Sequence, residues 1–133
     1  MAAKRASKTD PARQWAIAAA RLAEQRNCEE IIVLDLRDLS PVTDYFVIAT
    51  GTSDRQLRSV GDELCQEGKA AGHRVWHVDG KDSGEWIVLD FVDVVVHLFD
   101  QAHRRHYDLE LIWGEAPRVT WRPRARKTTD AET

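Results

Sequence analysis

The sequence contains few cysteines and no long apolar segment, and both absences narrow the class of protein. Cys28 and Cys65 are its two cysteines, too few for a disulfide framework or a cysteine-rich metal site. No apolar run reaches the length of about 18 residues that a membrane-spanning helix needs. The basic residues of the first ten positions are not followed by the apolar stretch of a secretory signal. We therefore expect a cytoplasmic protein with no membrane partner.

Positive charge is scarce in the middle of the chain. The net charge of −3 divides unevenly, because 1–8 and 116–133 are basic whereas 9–115 hold 20 acidic residues against 11 Lys and Arg. An acidic surface repels the phosphate backbone of nucleic acids and suits a basic protein partner. A solvated surface that only keeps the protein in solution explains the same charge equally well.

Hydrophobic periodicity predicts an α/β domain on a mixed sheet. Asp10-Pro11 begins a helix that runs to about Asn27, and the capping-box pair Ser53 and Gln56 begins a second helix. A short helix or turn is predicted at 101–107, and strands are predicted at 31–36, 45–50, 74–78, 86–90, 93–99 and 109–113. The predicted organisation is a mobile basic segment at 1–9, a domain at 10–115 and a mobile basic tail at 116–133, rich in Arg, Pro and Thr.

The segment WIVLD (86–90) predicts a strand with two different faces. Alternation places Ile87 and Leu89 on the core face, and Trp86, Val88 and Asp90 on the opposite face. A tryptophan and an aspartate on one face indicate a partly exposed, mixed surface of the kind that protein interfaces use. The strand after it, 93–99, is close enough for a tight antiparallel hairpin around Phe91-Val92.

The segment VIATGTSDRQL (47–57) has the strand, glycine and helix-start order of phosphate-binding turns. It lacks the Gly-Lys pair of a P-loop and the three glycines of a dinucleotide-binding fingerprint. Asp90 and Asp93 flank the predicted hairpin turn, where acidic residues are more often solvated than metal-bound. His97 is interpreted as a hydrogen-bonded residue of the sheet rather than a catalytic base. The residues favour a binding domain without cofactor or metal, with a nucleotide enzyme using the Gly51–Ser53 turn as the alternative.

Three longer stretches resemble the ribosomal silencing factor family, also called RsfS or Iojap. They are DLSPVTDYFVIATGTSDRQL (38–57), EWIVLDFVDVVVHLF (85–99) and YDLELIW (107–113), and the resemblance runs from about residue 12 to 114. It implies a mixed five-stranded sheet flanked by helices, nucleotidyltransferase-like but non-catalytic. It also implies a protein without a small-molecule substrate that binds the large ribosomal subunit through its L-fourteen protein. There it blocks joining of the small subunit when nutrients are low, and organelle relatives act in large-subunit assembly.

The resemblance also suggests which residues contact the partner. Trp86 and the Y-x-L-E motif carry over from the family, and two further residues share the strand face of Trp86. The predicted partner-binding residues are Trp86, Val88, Asp90, Tyr107, Leu109 and Glu110. Ordinary core packing is an equal alternative for Tyr107. Relatives often form dimers, which makes a homodimer a further expectation, and the basic tails either touch ribosomal RNA or are inert.

Val92 departs from the family pattern, which commonly has glycine before the aspartate at this position. Glycine adopts positive φ without strain, whereas a β-branched residue does not. We therefore expect a strained or altered turn at Phe91-Val92.

Overall fold

The protein forms a mixed five-stranded sheet with helices packed against it. A computed structural model describes residues 10–107 and 116–122, with side chains described to Arg104 and again from Ala116. The helices are α1 (Pro11–Gln25), α2 (Asp54–Ala70) and α3 (Gln101–Tyr107). The strands are β1 (Glu29–Asp35), β2 (Tyr45–Gly51), β3 (His77–Asp79), β4 (Trp86–Asp90) and β5 (Val94–Asp100).

The strand order is β1-β2-β5-β4-β3, in which β2 and β5 are parallel and the other neighbours are antiparallel. The predicted α/β fold with a mixed five-stranded sheet is confirmed. Strand β3 begins later than the predicted 74–78, and the strand predicted at 109–113 lies outside the described residues. No helix within the described ranges is long and apolar enough to cross a membrane.

Both long helices begin at the predicted caps. Asp10 accepts a hydrogen bond from the N–H of Ala12 at 3.1 Å, and Pro11 occupies the first turn, where a missing N–H costs nothing. The Ser53 hydroxyl accepts from the N–H of Gln56 at 3.0 Å, and the Gln56 amide oxygen accepts from the N–H of Thr52 at 2.6 Å. This reciprocal pair of hydrogen bonds fixes the start of α2.

The main core lies between α1, α2 and one face of the sheet. Alanines on one side of α1 and the apolar stripe of α2 cover the inward residues of the strands, among them Val47, Ile87 and Leu89. The alternation predicted for WIVLD is confirmed, because Ile87 and Leu89 are buried in this core. Trp86 instead packs with a second apolar cluster on the opposite face of the sheet.

Residues 116–122 run beside β1, which corrects the expectation of a mobile tail for these residues. The N–H of Val119 donates to the carbonyl of Val33 at 2.9 Å, and the N–H of Asp35 donates to the carbonyl of Pro117 at 2.8 Å. Val119 and Trp121 are both buried. These two apolar residues alternate along the segment and pack it on the domain. The basic, proline-containing composition concealed this pattern.

The turn between β4 and β5 lies one residue later in the chain than predicted. The N–H of Phe91 donates to the carbonyl of Val94 at 2.9 Å, so the loop residues are Val92-Asp93 rather than Phe91-Val92. The N–H of Asp93 also donates to the carbonyl of Phe91 at 3.0 Å across Val92, whose φ is +78°. This hydrogen-bond pattern with positive φ has the geometry of the rare, strained γ-turn. The predicted antiparallel hairpin is thus confirmed, and the turn type that the sequence left open has Val92 at positive φ.

Candidate protein-binding face

Trp86 lies at the start of β4, on the sheet face opposite α1 and α2, and its ring is held from two sides. The indole stacks on Phe99 with ring centres 5.0 Å apart and planes inclined by 24°. Its Nε1–H donates a hydrogen bond to Nδ1 of His97 at 3.2 Å. The indole is half-buried, so part of it remains accessible while its orientation is fixed. A partner that binds it does not have to order a mobile side chain.

His97 is buried behind Trp86, with only 7% of its surface exposed. Because Nδ1 accepts from Trp86, the neutral imidazole carries its proton on Nε2. Burial lowers the pKa of His97 to about 4, since the surrounding apolar groups disfavour a charged ring. The edge-to-face ring of Phe46, 4.6 Å away, belongs to these surroundings. The interpretation of His97 as a hydrogen-bonded sheet residue is confirmed.

Two carboxylates lie at the end of the sheet where β4 begins, those of Glu85 before Trp86 and Asp100 after Phe99. The His103 ring lies 2.8 Å from the Asp100 carboxylate through Nδ1 and 3.5 Å from the Glu85 carboxylate through Nε2. Burial acts to raise the pKa of Asp100, but hydrogen bonds from the backbone and ring of His103 outweigh it and lower that pKa. Asp100 is therefore ionised at neutral pH. These carboxylates at this end of the sheet suit a basic partner.

The structure brings only some of the predicted partner-binding residues together. Val88 follows Trp86 on the same face, whereas Asp90 lies at the far end of β4, about 13 Å from Trp86 at the usual rise of a strand. Tyr107 ends α3, which follows β5 at the Trp86 end of the sheet, and its side chain lies outside the described residues. Leu109 and Glu110 also lie outside them. Their place in the face stays a prediction.

Helix α3 is fixed to the sheet by a buried arginine that sequence reasoning missed. Arg104 is 6% exposed, and its Nη1 donates to the hydroxyl of Thr50 on β2 at 2.8 Å. This contact joins α3 to β2. His97, Phe99 and Asp100 were missed as neighbours of Trp86 as well. Alternation in β5 does place His97 and Phe99 on one face, but the pairing of Trp86 with Phe99 is visible only in the sheet.

The glycine turn after β2 is shaped by packing against α2. A Cβ atom at Gly51 would lie 2.4 Å from Cδ2 of the buried Leu57, closer than real contacts allow. The N–H groups of Thr52 and Gln56, which a phosphate would need as donors, already donate to side chains of this turn. Within the part of the chain that the structure describes, no group of three or more His, Cys, Asp or Glu is placed to hold a metal.

This packing gives a testable contrast between two glycines. Gly51→Ala is expected to lower the free energy of unfolding by about 1–3 kcal/mol, because the new methyl group overpacks Leu57. Gly61→Ala, inside α2, is expected to raise it by up to about 1 kcal/mol, since its nearest neighbour would be 3.8 Å away and alanine favours helix. Urea unfolding of both variants measures the contrast. Equal shifts in the same direction would contradict this account of the turn.

The fold and this face define an α/β domain that presents a fixed, partly exposed indole beside carboxylates. The model of a family described as ribosomal silencing factor during starvation matches residues 9–133. The chain therefore belongs to the ribosomal silencing factor (RsfS) family, and the resemblance read from the sequence is confirmed.

Individual relatives agree with this assignment. The chain is 37% identical over 99 residues to the ribosomal silencing factor RsfS of Bacillus subtilis, covering 74% of this chain and 84% of that protein. A crystal structure of a protein from Chromobacterium violaceum superposes with a TM-score of 0.73 at 34% identity, covering 76% of this chain and 84% of that one. The mouse protein named mitochondrial assembly of ribosomal large subunit protein 1 is 35% identical over 95 residues, covering 69% of this chain and 42% of that protein.

Proposed function

We propose that this protein represses translation by binding the large ribosomal subunit and covering the surface that meets the small subunit. The observation that carries the proposal is the indole of Trp86, fixed by Phe99 and His97 and still partly accessible. Tryptophans held in this way are typical anchors of protein interfaces. Family membership supports the silencing role, and the name of the mouse relative supports the large subunit as the target.

The proposed partner is the L-fourteen protein of the large subunit, a choice that follows from the family resemblance. The carboxylates of Glu85 and Asp100, next to Trp86 and Phe99 along the chain, suit a basic ribosomal protein. The proposed contact surface also includes Val88 on β4, Tyr107 at the end of α3, and Leu109 and Glu110 after it. A protein bound there blocks the small subunit sterically, so this function needs neither substrate nor cofactor. We place it in the cytoplasm. We also propose that the protein supports maturation of the large subunit.

Subunit joining in vitro tests this function. The protein is added to purified large subunits before small subunits, and particles are separated on a sucrose gradient. We expect the protein in the large-subunit fraction and fewer joined particles, because a bound protein excludes the small subunit. Recovery of the protein only on joined particles would contradict the proposal.

Calorimetry tests the enzyme alternative directly. With nucleoside triphosphate and magnesium we expect no saturable binding at the Gly51–Ser53 turn, because its N–H donors serve the start of α2. Saturable binding would instead establish a nucleotide site and overturn a purely steric role.

A further inference from the structure

The exposed large apolar side chains of the described residues gather at one end of the sheet. They are Leu39 (43% exposed), Val42 (79%), Trp76 (73%) and Val92 (53%). Strands β2 and β5 begin at this end, and β1 and β4 finish there. We call these four residues the apolar rim. Single exposed apolar residues are common, but the grouping of all four marks an interaction surface.

Hydrogen bonds to Asp90 and Asp93, on either side of Val92, connect the segments that carry the apolar rim. The carbonyl of Asp90 accepts from the N–H of Trp76 at 2.7 Å, and the Asp90 carboxylate accepts from the N–H of Val92 at 2.7 Å. On the other side, the carbonyl of Asp93 accepts from the N–H of Asp44 at 2.9 Å, which ties down the loop that carries Val42. The apolar rim is thus built on a fixed frame.

Val92 gives the second, independent observation. It has a positive φ of 78° and yet exposes more than half of its side chain. The folded domain therefore carries backbone strain at this residue, and the side chain recovers little of it by burial. Strain that the surrounding structure maintains is concentrated at functional sites. A glycine at this position, as the family pattern led us to expect, would make the same turn without an apolar group.

We propose that the apolar rim binds a basic protein segment of the large ribosomal subunit, one with an apolar side chain between lysines or arginines. This inference rests on the proposed function and adds a second contact, because the apolar rim lies at the opposite end of β4 from Trp86.

Charge favours this occupant over the others. The loops and the end of β4 at the apolar rim carry four carboxylates (Asp38, Asp44, Asp90 and Asp93) and two arginines (Arg37 and Arg74), so negative charge predominates. Their field attracts a cationic segment and repels the phosphates of RNA and of anionic lipid. A second copy of the chain, bound rim to rim, would bring the same carboxylates against each other.

Site-specific photo-crosslinking to purified large subunits identifies the occupant. The photoreactive residue p-benzoylphenylalanine replaces Trp76 in one variant and Val42 in another, and the products are mapped by mass spectrometry. We expect both positions to crosslink to a protein segment rich in lysine and arginine. Crosslinks to RNA or to a second copy, or no crosslink from protein that still sediments with the subunit, would overturn the inference.

Affinity measurements with the same subunits give the second readout. Trp76→Ala and Val92→Gly are each expected to raise Kd by about tenfold, the loss of one apolar anchor. Val92→Gly is expected to melt no lower than the wild type, since glycine relieves the positive φ, so weaker binding cannot come from unfolding. Gln66→Ala, an exposed change on α2, serves as the control with unchanged Kd.

Comparing the variants distinguishes a failure of the apolar rim from a failure of the proposed function. If Trp86→Ala releases the protein while both rim variants bind like the wild type, the apolar rim is not a contact surface and the proposed function stands. If the wild-type protein does not bind large subunits, both are wrong.

Discussion

Trp86→Ala is expected to raise the Kd for the large ribosomal subunit by at least about 30-fold, as for a tryptophan anchor at the centre of an interface. The substitution removes the accessible indole and the stacking on Phe99. Co-sedimentation with purified large subunits over a range of protein concentrations measures the change. Tyr107→Ala tests the neighbouring motif in the same assay.

Trp86→Ala can weaken binding directly or by destabilising the fold, and a control variant distinguishes the two effects. Trp86→Ala also leaves Nδ1 of His97 without its donor and opens a cavity, so we expect it to lose about 3 kcal/mol of stability. Trp86→Phe keeps a ring against Phe99 and removes only the N–H, so it should be more stable than the alanine variant. Folded alanine and phenylalanine variants that both bind with wild-type affinity would show that the interface lies elsewhere.

The second large effect is a loss of stability in mild acid that depends on His97. Its pKa falls from the ordinary 6.5 to about 4 in the folded protein because the ring is buried. The unfolded chain therefore binds a proton that the folded chain excludes, so stability is complete above pH 6.5 and declines as the pH falls toward 4. The expected contribution is about 3 kcal/mol between pH 7 and pH 4. Urea unfolding at a series of pH values measures it.

A matched pair of variants isolates this contribution from the protein's carboxylates. His97→Gln retains an oxygen that can accept from Trp86 but does not titrate, so its stability should change less between pH 7 and 4. His77→Gln, at an exposed position on β3, should keep the wild-type dependence. An unchanged pH dependence in His97→Gln would show that the ring is not held neutral.

Local features of the fold were predictable because they depend on neighbouring residues. The caps at Asp10 and Ser53 were identified from residue types one and three positions apart, and the structure forms both. Alternation in WIVLD correctly placed Trp86 and Ile87 on opposite faces, since successive side chains of a strand point to opposite faces. The turn type at Val92 was left open, because a β-branched residue stands where the family pattern has glycine, and the positive φ is visible only in the structure.

Features that depend on distant pairing were not predictable in this way. The hydrogen bond between Trp86 and His97 requires that β4 pairs with β5 in one register, which the sequence does not reveal. The parallel pairing of β2 and β5 joins residues about fifty positions apart. The attachment of Trp121 was missed because composition indicated disorder, while two apolar side chains were enough to attach the segment. The site was therefore predicted as a strand face, without the residues that support it.

The two outer strands of the sheet differ in a way that limits self-association. Residues 117–119 occupy backbone groups of Val33 and Asp35 at the end of β1, whereas no described segment pairs with the outer side of β3. Two chains that met through β3 would each present to a third chain a β1 edge that this segment partly covers. Strand pairing beyond a pair would therefore have to displace residues 117–119 or use only the beginning of β1.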